Sequence, residues 1–216
     1  MGAVFIRPYL HGGLLGKVTN ATHLSDGRFR GELEILVAAR TAELPVPEPL
    51  AVISRPRIFG TRIGWLLLRE EPGAQDLMAF LSAAPVAVER RRVLKAAGRV
   101  VRTLHDAGFE HPDLHLKNLL LLADGSVLVL DLDRSRRVPS LTNEERLTGL
   151  FRFDRYAAKQ AARGAPVSRV DRLRFLRAYA GDDWPERAEV RALAGRLARH
   201  IALHASARKG TLGASS

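Results

Sequence analysis

The stretch His111-Pro112-Asp113-Leu114-His115-Leu116-Lys117-Asn118, followed later by Asp131-Leu132-Asp133, decides how the rest of the chain is read. Upstream, Val88 to Ala107 carries Val93, Ala97, Val100, Val101 and Leu104 on one face of a helical repeat, and Gly108 stands at the capping position. Downstream, Leu119–Leu122 and Val127–Leu130 are two short apolar runs around Ala123-Asp124-Gly125-Ser126, a hairpin signal. This order gives the spacing a physical meaning. Asp113 falls on a loop after a long helix and can point into a cleft, while Asn118 ends that loop where a strand begins. The hairpin returns the chain, so Asp131 is expected beside Asn118. One carboxylate and one carboxamide oxygen suit Mg²⁺, a hard cation that keeps several waters and bridges phosphates. Asp113 is left to orient and deprotonate an attacking hydroxyl.

The stretch matches H-x-D-L-x-x-x-N with a metal-binding aspartate at the end of the next hairpin, the catalytic pattern of kinases. Such chemistry rests on positioning and on neutralising developing charge. It also needs a cation for the nucleotide phosphates and a helix carboxylate to hold it. Val4-Phe5-Ile6-Arg7 has the shape of the V-A-I-K strand, with Arg7 in place of lysine. Glu32 is the expected partner of Arg7, and Glu34 the fallback. A zinc site from His111 and His115 is disfavoured: Pro112 opposes a regular helix, and the glutamate expected beside the first histidine is absent. Gly12 to Val18 is not a P-loop either, because His11 stands in place of the first glycine and Val18 in place of Ser or Thr.

Outward from the decisive stretch, a helix is expected from Gly27 to Ala42, an extended connector over Pro45–Pro49, and strands at Ala51–Ser54 and Gly64–Arg69. Glu70-Glu71-Pro72-Gly73 is a composition break and a lobe boundary. Beyond it come a short helix at Asp76–Leu81 and, from Glu144 to His204, further helices broken at Gly164–Pro166 and Gly181–Pro185. The expected fold is α+β and two-lobed, protein-kinase-like. Residues 1–70 form a small β-containing first lobe, 71–208 a mainly helical second lobe, and 209–216 a disordered tail.

At 216 residues the chain suffices for one domain or two small lobes. It has no cysteine, which excludes disulfides and thiolate metal sites, and no apolar run long enough to span a membrane. Arg7 and Pro8 interrupt the opening apolar stretch, so it does not read as a signal peptide, and the chain reads as cytoplasmic. The net charge of +11 favours a polyanionic partner without naming one.

Three further stretches carry a resemblance to a known family. Arg7-Pro8-Tyr9-Leu10-His11-Gly12-Gly13-Leu14 resembles the R-x-Y-x-x-G-G-L stretch of 3-deoxy-D-manno-octulosonic acid (Kdo) kinases. Leu44-Pro45-Val46-Pro47-Glu48-Pro49 is similar to their proline connector, and Asp131-Leu132-Asp133-Arg134-Ser135-Arg136 to their D-F-D-R-G-R. The resemblance implies an ATP- and Mg²⁺-dependent kinase phosphorylating a sugar hydroxyl of the lipopolysaccharide inner core, Kdo on a lipid A precursor. It implies peripheral action at the cytoplasmic face of the inner membrane and no nucleic-acid partner. By it, Asp113 is the proton acceptor, Asn118 and Asp131 are Mg²⁺ ligands, Arg7 and Glu32 serve ATP, and Arg134 and Arg136 face the anionic acceptor. There are departures. Asp133 replaces the glycine of D-F-G, and Ser135 replaces a family glycine. The two strands and Gly-rich loop that cover the phosphates in this fold have no residues ahead of Arg7. The competing readings are a catalytically impaired kinase-fold binding module and a kinase for another small-molecule or protein acceptor.

Overall fold

The chain is described by a computed structural model covering residues 3–9, 27–57 and 61–181, together with Gly195 and Arg199. Its first sheet has three antiparallel strands in the order β1-β3-β2, from β1 (Val4–Pro8), β2 (Pro49–Pro56) and β3 (Arg62–Arg69). The expected strands at Ala51–Ser54 and Gly64–Arg69 are both present and longer. β3, with Leu66 and Leu68 buried, is central, so its backbone pairs on both edges. β1 lies at the edge and leaves Val4, Phe5 and Ile6 exposed.

Helix α1 (Gly27–Thr41) packs on this sheet through Phe29, Leu36 and Ala39, close to the span expected from its apolar spacing. Gly64 is where the packing is tightest: a Cβ there would lie 2.8 Å from the Phe29 ring. The connector then passes Val129, whose N–H bonds the Pro45 carbonyl at 2.8 Å, which ties the proline segment to the second part of the fold.

That second part begins with the two-residue strand β4 (Gln75–Asp76). Asp76 then caps α2 (Leu77–Ser82), its side chain accepting the Ala79 N–H at 2.9 Å. Helix α3 (Ala87–Asp106) buries Val93, Leu94, Ala97, Val101 and Leu104. It packs closely along α5 (Arg169–Ala180), and Gly98 makes this possible, since a Cβ there would meet the Phe175 carbonyl at 2.4 Å. Gly108 ends the α3 region at φ +80, a left-handed conformation open to glycine. Strand β5 (Phe109–Glu110) follows, then a 3₁₀ turn at Leu116–Asn118 that feeds the hairpin of β6 (Leu119–Leu121) and β7 (Val127–Val129). β4 adds to this hairpin in the order β4-β6-β7, and β8 (Arg136–Arg137) pairs with β5. Helix α4 (Asn143–Ala161) and α5 each start with a capping box, Thr142 with Glu145 and Ser168 with Asp171.

One continuous core joins Phe29, Leu66, Leu77, Leu104, Leu119, Leu132 and Phe175. Each such side chain contributes about 1.5–3 kcal/mol on burial. Of the helices expected from Glu144 to His204, those as far as Ala180 are present as α4 and α5. Most of 182–208, the tail at 209–216 and the glycine-rich stretch 12–18 lie outside the described residues.

Candidate active site

Two pieces of the chain meet at the carboxyl end of β7. One is the loop 111–118. The fold carries His111 into it directly after β5, buried at 1 % exposure. Its Nδ1 accepts the Asp113 N–H at 3.2 Å, and its Nε2 lies 2.9 Å from the Leu130 carbonyl oxygen. An Nδ1 that accepts leaves the proton on Nε2, so Nε2–H donates to Leu130. Burial lowers the His111 pKa, outweighing that hydrogen bond and the nearby carboxylates. A neutral imidazole thus staples the Asp113 loop to the residue preceding Asp131. Both its nitrogens are committed, which leaves none for a metal.

Asn118 makes the second staple. Its Nδ2 donates to the Asp113 carbonyl at 2.9 Å, while its own carbonyl accepts the Leu130 N–H at 2.9 Å. The amide nitrogen is spent on the loop, and the carboxamide Oδ1 is the atom left for a cation. The Asp113 side chain itself is 69 % exposed, and His115 Nε2 lies 3.4 Å from its Oδ2. The His115 ring stacks on Tyr156 with centroids 4.6 Å apart.

The other piece is the junction of β1 and α1. Arg7 stands opposite the buried Leu66 in the ladder and therefore shares its inward face. Its Nη2 bonds Glu32 Oε1, and its Nη1 bonds Asp131 Oδ1 at 2.6 Å. Burial opposes the charged guanidinium, but the two carboxylates outweigh it and raise the Arg7 pKa. Glu32 is 2 % exposed, and burial pushes its carboxyl up against the pull of Arg7. Glu34, the fallback, faces solvent. Arg7 thereby joins the sheet, the helix and Asp131 in one bridge.

The residues after Asp131 form a tight turn in which Asp131 and Arg134 both have positive φ, 59° and 61°. Asp133 pairs with Arg28 at the start of α1, with Arg28 Nε 3.1 Å from Oδ2. A cleft of about 330 Å³ opens here, lined by Arg28, Gly31, Glu32, Asp133, Arg134 and Ser135. Arg134 lines it. Arg136 does not: its guanidinium is held by Glu110 and Glu145, partners brought by β5 and α4. Sequence reasoning missed the Arg28–Asp133 pair and the His115–Tyr156 stack. The first leaves no local trace, since Arg28 and Asp133 lie 105 residues apart. The second leaves none either, because α4 brings Tyr156 from far along the chain.

The donor set fits a hard, hydrated cation better than a caged one. Among the described residues no group of three or more His, Cys, Asp or Glu converges to hold a metal. One carboxylate with one carboxamide oxygen is what Mg²⁺ takes when waters and phosphates complete its octahedron.

Comparison with known proteins identifies the family. The Lipopolysaccharide kinase (Kdo/WaaP) family pattern matches residues 3–179. A 3-deoxy-D-manno-octulosonic acid kinase of Stenotrophomonas maltophilia (strain R551-3) is 31 % identical over 184 residues, spanning 82 % of this chain and 71 % of the relative. A protein of the same name from Vibrio cholerae serotype O1 is 33 % identical over 134 residues, 60 % of this chain and 55 % of the relative. Among solved structures, WaaP in complex with acyl carrier protein matches with a TM-score of 0.64 at 20 % identity, over 93 % of this chain and 79 % of that one. That likeness shows the fold, which is kinase-like. The family match over most of the chain and the 31 % relative together place it: the chain belongs to the lipopolysaccharide kinase (Kdo/WaaP) family.

Proposed function

We propose that the chain transfers the γ-phosphoryl group of ATP to a hydroxyl of Kdo on a lipid A precursor. The single observation that carries this is the Arg7 bridge to Glu32 and Asp131, set beside a loop that His111 and Asn118 fasten around Asp113. Asn118 Oδ1 and Asp131 are the residues to hold Mg²⁺, which when bound neutralises charge on the phosphate oxygens. Arg7 supplies the fixed cation for the nucleotide phosphates, oriented by Glu32. The exposed Asp113 carboxylate receives the acceptor hydroxyl and takes its proton as that oxygen bonds to phosphorus and the β–γ bridge breaks, leaving ADP. Asn118 and His111 keep the Asp113 backbone in place, so little reorganisation is needed at that moment.

The kinase-like division into a first lobe of residues 1–70 and a second of 71–208 belongs to the same reading. It is supported by β3 ending at Arg69 and by the mainly helical elements that follow. Arg134, in the cleft beside Glu32, is the cation placed for an anionic acceptor. The net charge of +11 supports peripheral action at an anionic surface, the cytoplasmic face of the inner membrane. No helix among the described residues is long and apolar enough to cross a membrane.

The test is incubation with Mg²⁺, labelled ATP and Kdo-bearing lipid A precursor. Label is expected to appear on the lipid. Its absence, from protein shown to be folded, contradicts the acceptor assignment.

A further inference from the structure

The kinase pattern carries glycine where this chain has Asp133, and the transfer steps above give that carboxylate no task. Yet its side chain is only 14 % exposed, and it is tightly engaged. Arg28 Nε lies 3.2 and 3.1 Å from its two oxygens, and Arg28 Nη2 also bonds Oδ2. A fork of guanidinium nitrogens on one carboxylate fixes direction as well as distance. Arg28 and Glu32 stand at i and i+4 on α1, so they leave the same helix face. Glu32 reaches Asp131 through Arg7, and Arg28 reaches Asp133 directly. The segment 131–133 is therefore fastened to α1 at two points, with Leu132, at 0 % exposure, anchored in the core between them.

Such fastening has a physical purpose. Asp131 and Arg134 adopt left-handed φ angles, a conformation that residues with a Cβ take infrequently. Conformations of that kind persist when the surroundings over-determine them. The backbone adds the Ser135 N–H to Leu132 carbonyl bond, at 2.9 Å.

We infer that Arg28–Asp133 is a positioning pair. It holds the 131–134 turn so that the Asp131 carboxylate stays where it can share a divalent cation with Asn118. Neither member touches the transferred group. The pair couples the position of α1 to metal binding, and it accounts for a carboxylate in place of glycine. This inference rests on the phosphotransfer reading.

The test measures binding of a non-hydrolysable ATP analogue to the whole chain as Mg²⁺ is raised, by calorimetry, alongside thermal melting without Mg²⁺. Arg28→Gln is expected to raise the Mg²⁺ needed for half-maximal binding about 10-fold or more, the size seen when groups orienting a metal ligand are removed. Excess Mg²⁺ is expected to restore binding. Asp133→Asn, which keeps size and removes charge, is expected to match it and serves if Arg28→Gln does not fold. The exchange Arg28→Asp with Asp133→Arg is expected to recover most of the loss. An unchanged Mg²⁺ midpoint in a folded single variant overturns the inference, and so does an exchange no better than either single change. A wild-type chain that binds no Mg²⁺–nucleotide brings down the phosphotransfer reading, and this inference with it.

Discussion

Around Asp113 the fastenings are neutral; around Arg7 they are charged. The loop around Asp113 is held by a buried imidazole and a carboxamide, across 2 to 19 residues of sequence. The junction of β1, α1 and Asp131 is held by guanidinium–carboxylate pairs across 25, 105 and 124 residues. The contrast follows from what each region has to do. A loop that presents a base must not move, and neutral buried hydrogen bonds hold it without adding charge beside the base. A site for a nucleotide and its cation must carry charge before the ligand arrives. Arg7, Glu32 and Asp131 satisfy one another until then. Cutting either set should therefore fail differently.

The largest effect is expected at the base. Asp113→Ala should lower phosphate transfer by about 10²–10⁴-fold, the usual range for a general base, with an unchanged melting temperature. Retained transfer would remove Asp113 from its role. Next comes the charged junction. Arg7→Ala leaves Glu32 buried and unpaired, a change costing about 3–5 kcal/mol in such pairs. Chemical denaturation should show that loss, and adding Glu32→Gln should return part of it. On the neutral side, His111→Ala leaves the Leu130 carbonyl and the Asp113 N–H without their partner. A loss of about 1–3 kcal/mol is expected, smaller than that of the Arg7 variant.

How much of this was legible in the sequence follows the same division. Loop 111–118 could be read because its bonds are local: His111, Asp113 and Asn118 sit within one turn of chain, and the hairpin that returns Asp131 announces itself at Asp124-Gly125. Arg7 and Glu32 were legible only through the kinase pattern, since nothing local in Val4–Arg7 says which carboxylate it meets. Arg28–Asp133 was not legible, because a charge pair across the fold leaves no periodic trace. The reading of Arg136 as facing the acceptor failed to foresee its partners for the same reason: the basic turn looks free until β5 and α4 supply Glu110 and Glu145. The two-residue strands β4, β5 and β8 escaped too, being defined by distant pairing and not by their own residues.

Acid should act through the buried neutral histidines. Burial, helped by Arg146, holds His105 down to about 4. A depressed histidine binds fewer protons folded than unfolded, so its contribution to stability is intact above the ordinary value of 6.5 and declines as pH falls towards about 4. The loss from His105 amounts to roughly 3 kcal/mol. Denaturation midpoints between pH 7 and 4 should fall accordingly, and His105→Gln should flatten that slope. The smallest effect is expected at the exposed Arg136. Arg136→Ala should leave the acceptor KM nearly unchanged while Arg134→Ala raises it, and equal effects would return Arg136 to the acceptor site.

The most direct measurement compares three variants for binding of a Mg²⁺–ATP analogue. Asn118→Ala and Asp131→Ala are expected to lose that binding, whereas Asp113→Ala keeps it while losing phosphate transfer. If all three bind as the unaltered chain does, the residues brought together at the end of β7 are not a magnesium–nucleotide site, and the account of the enzyme fails with them.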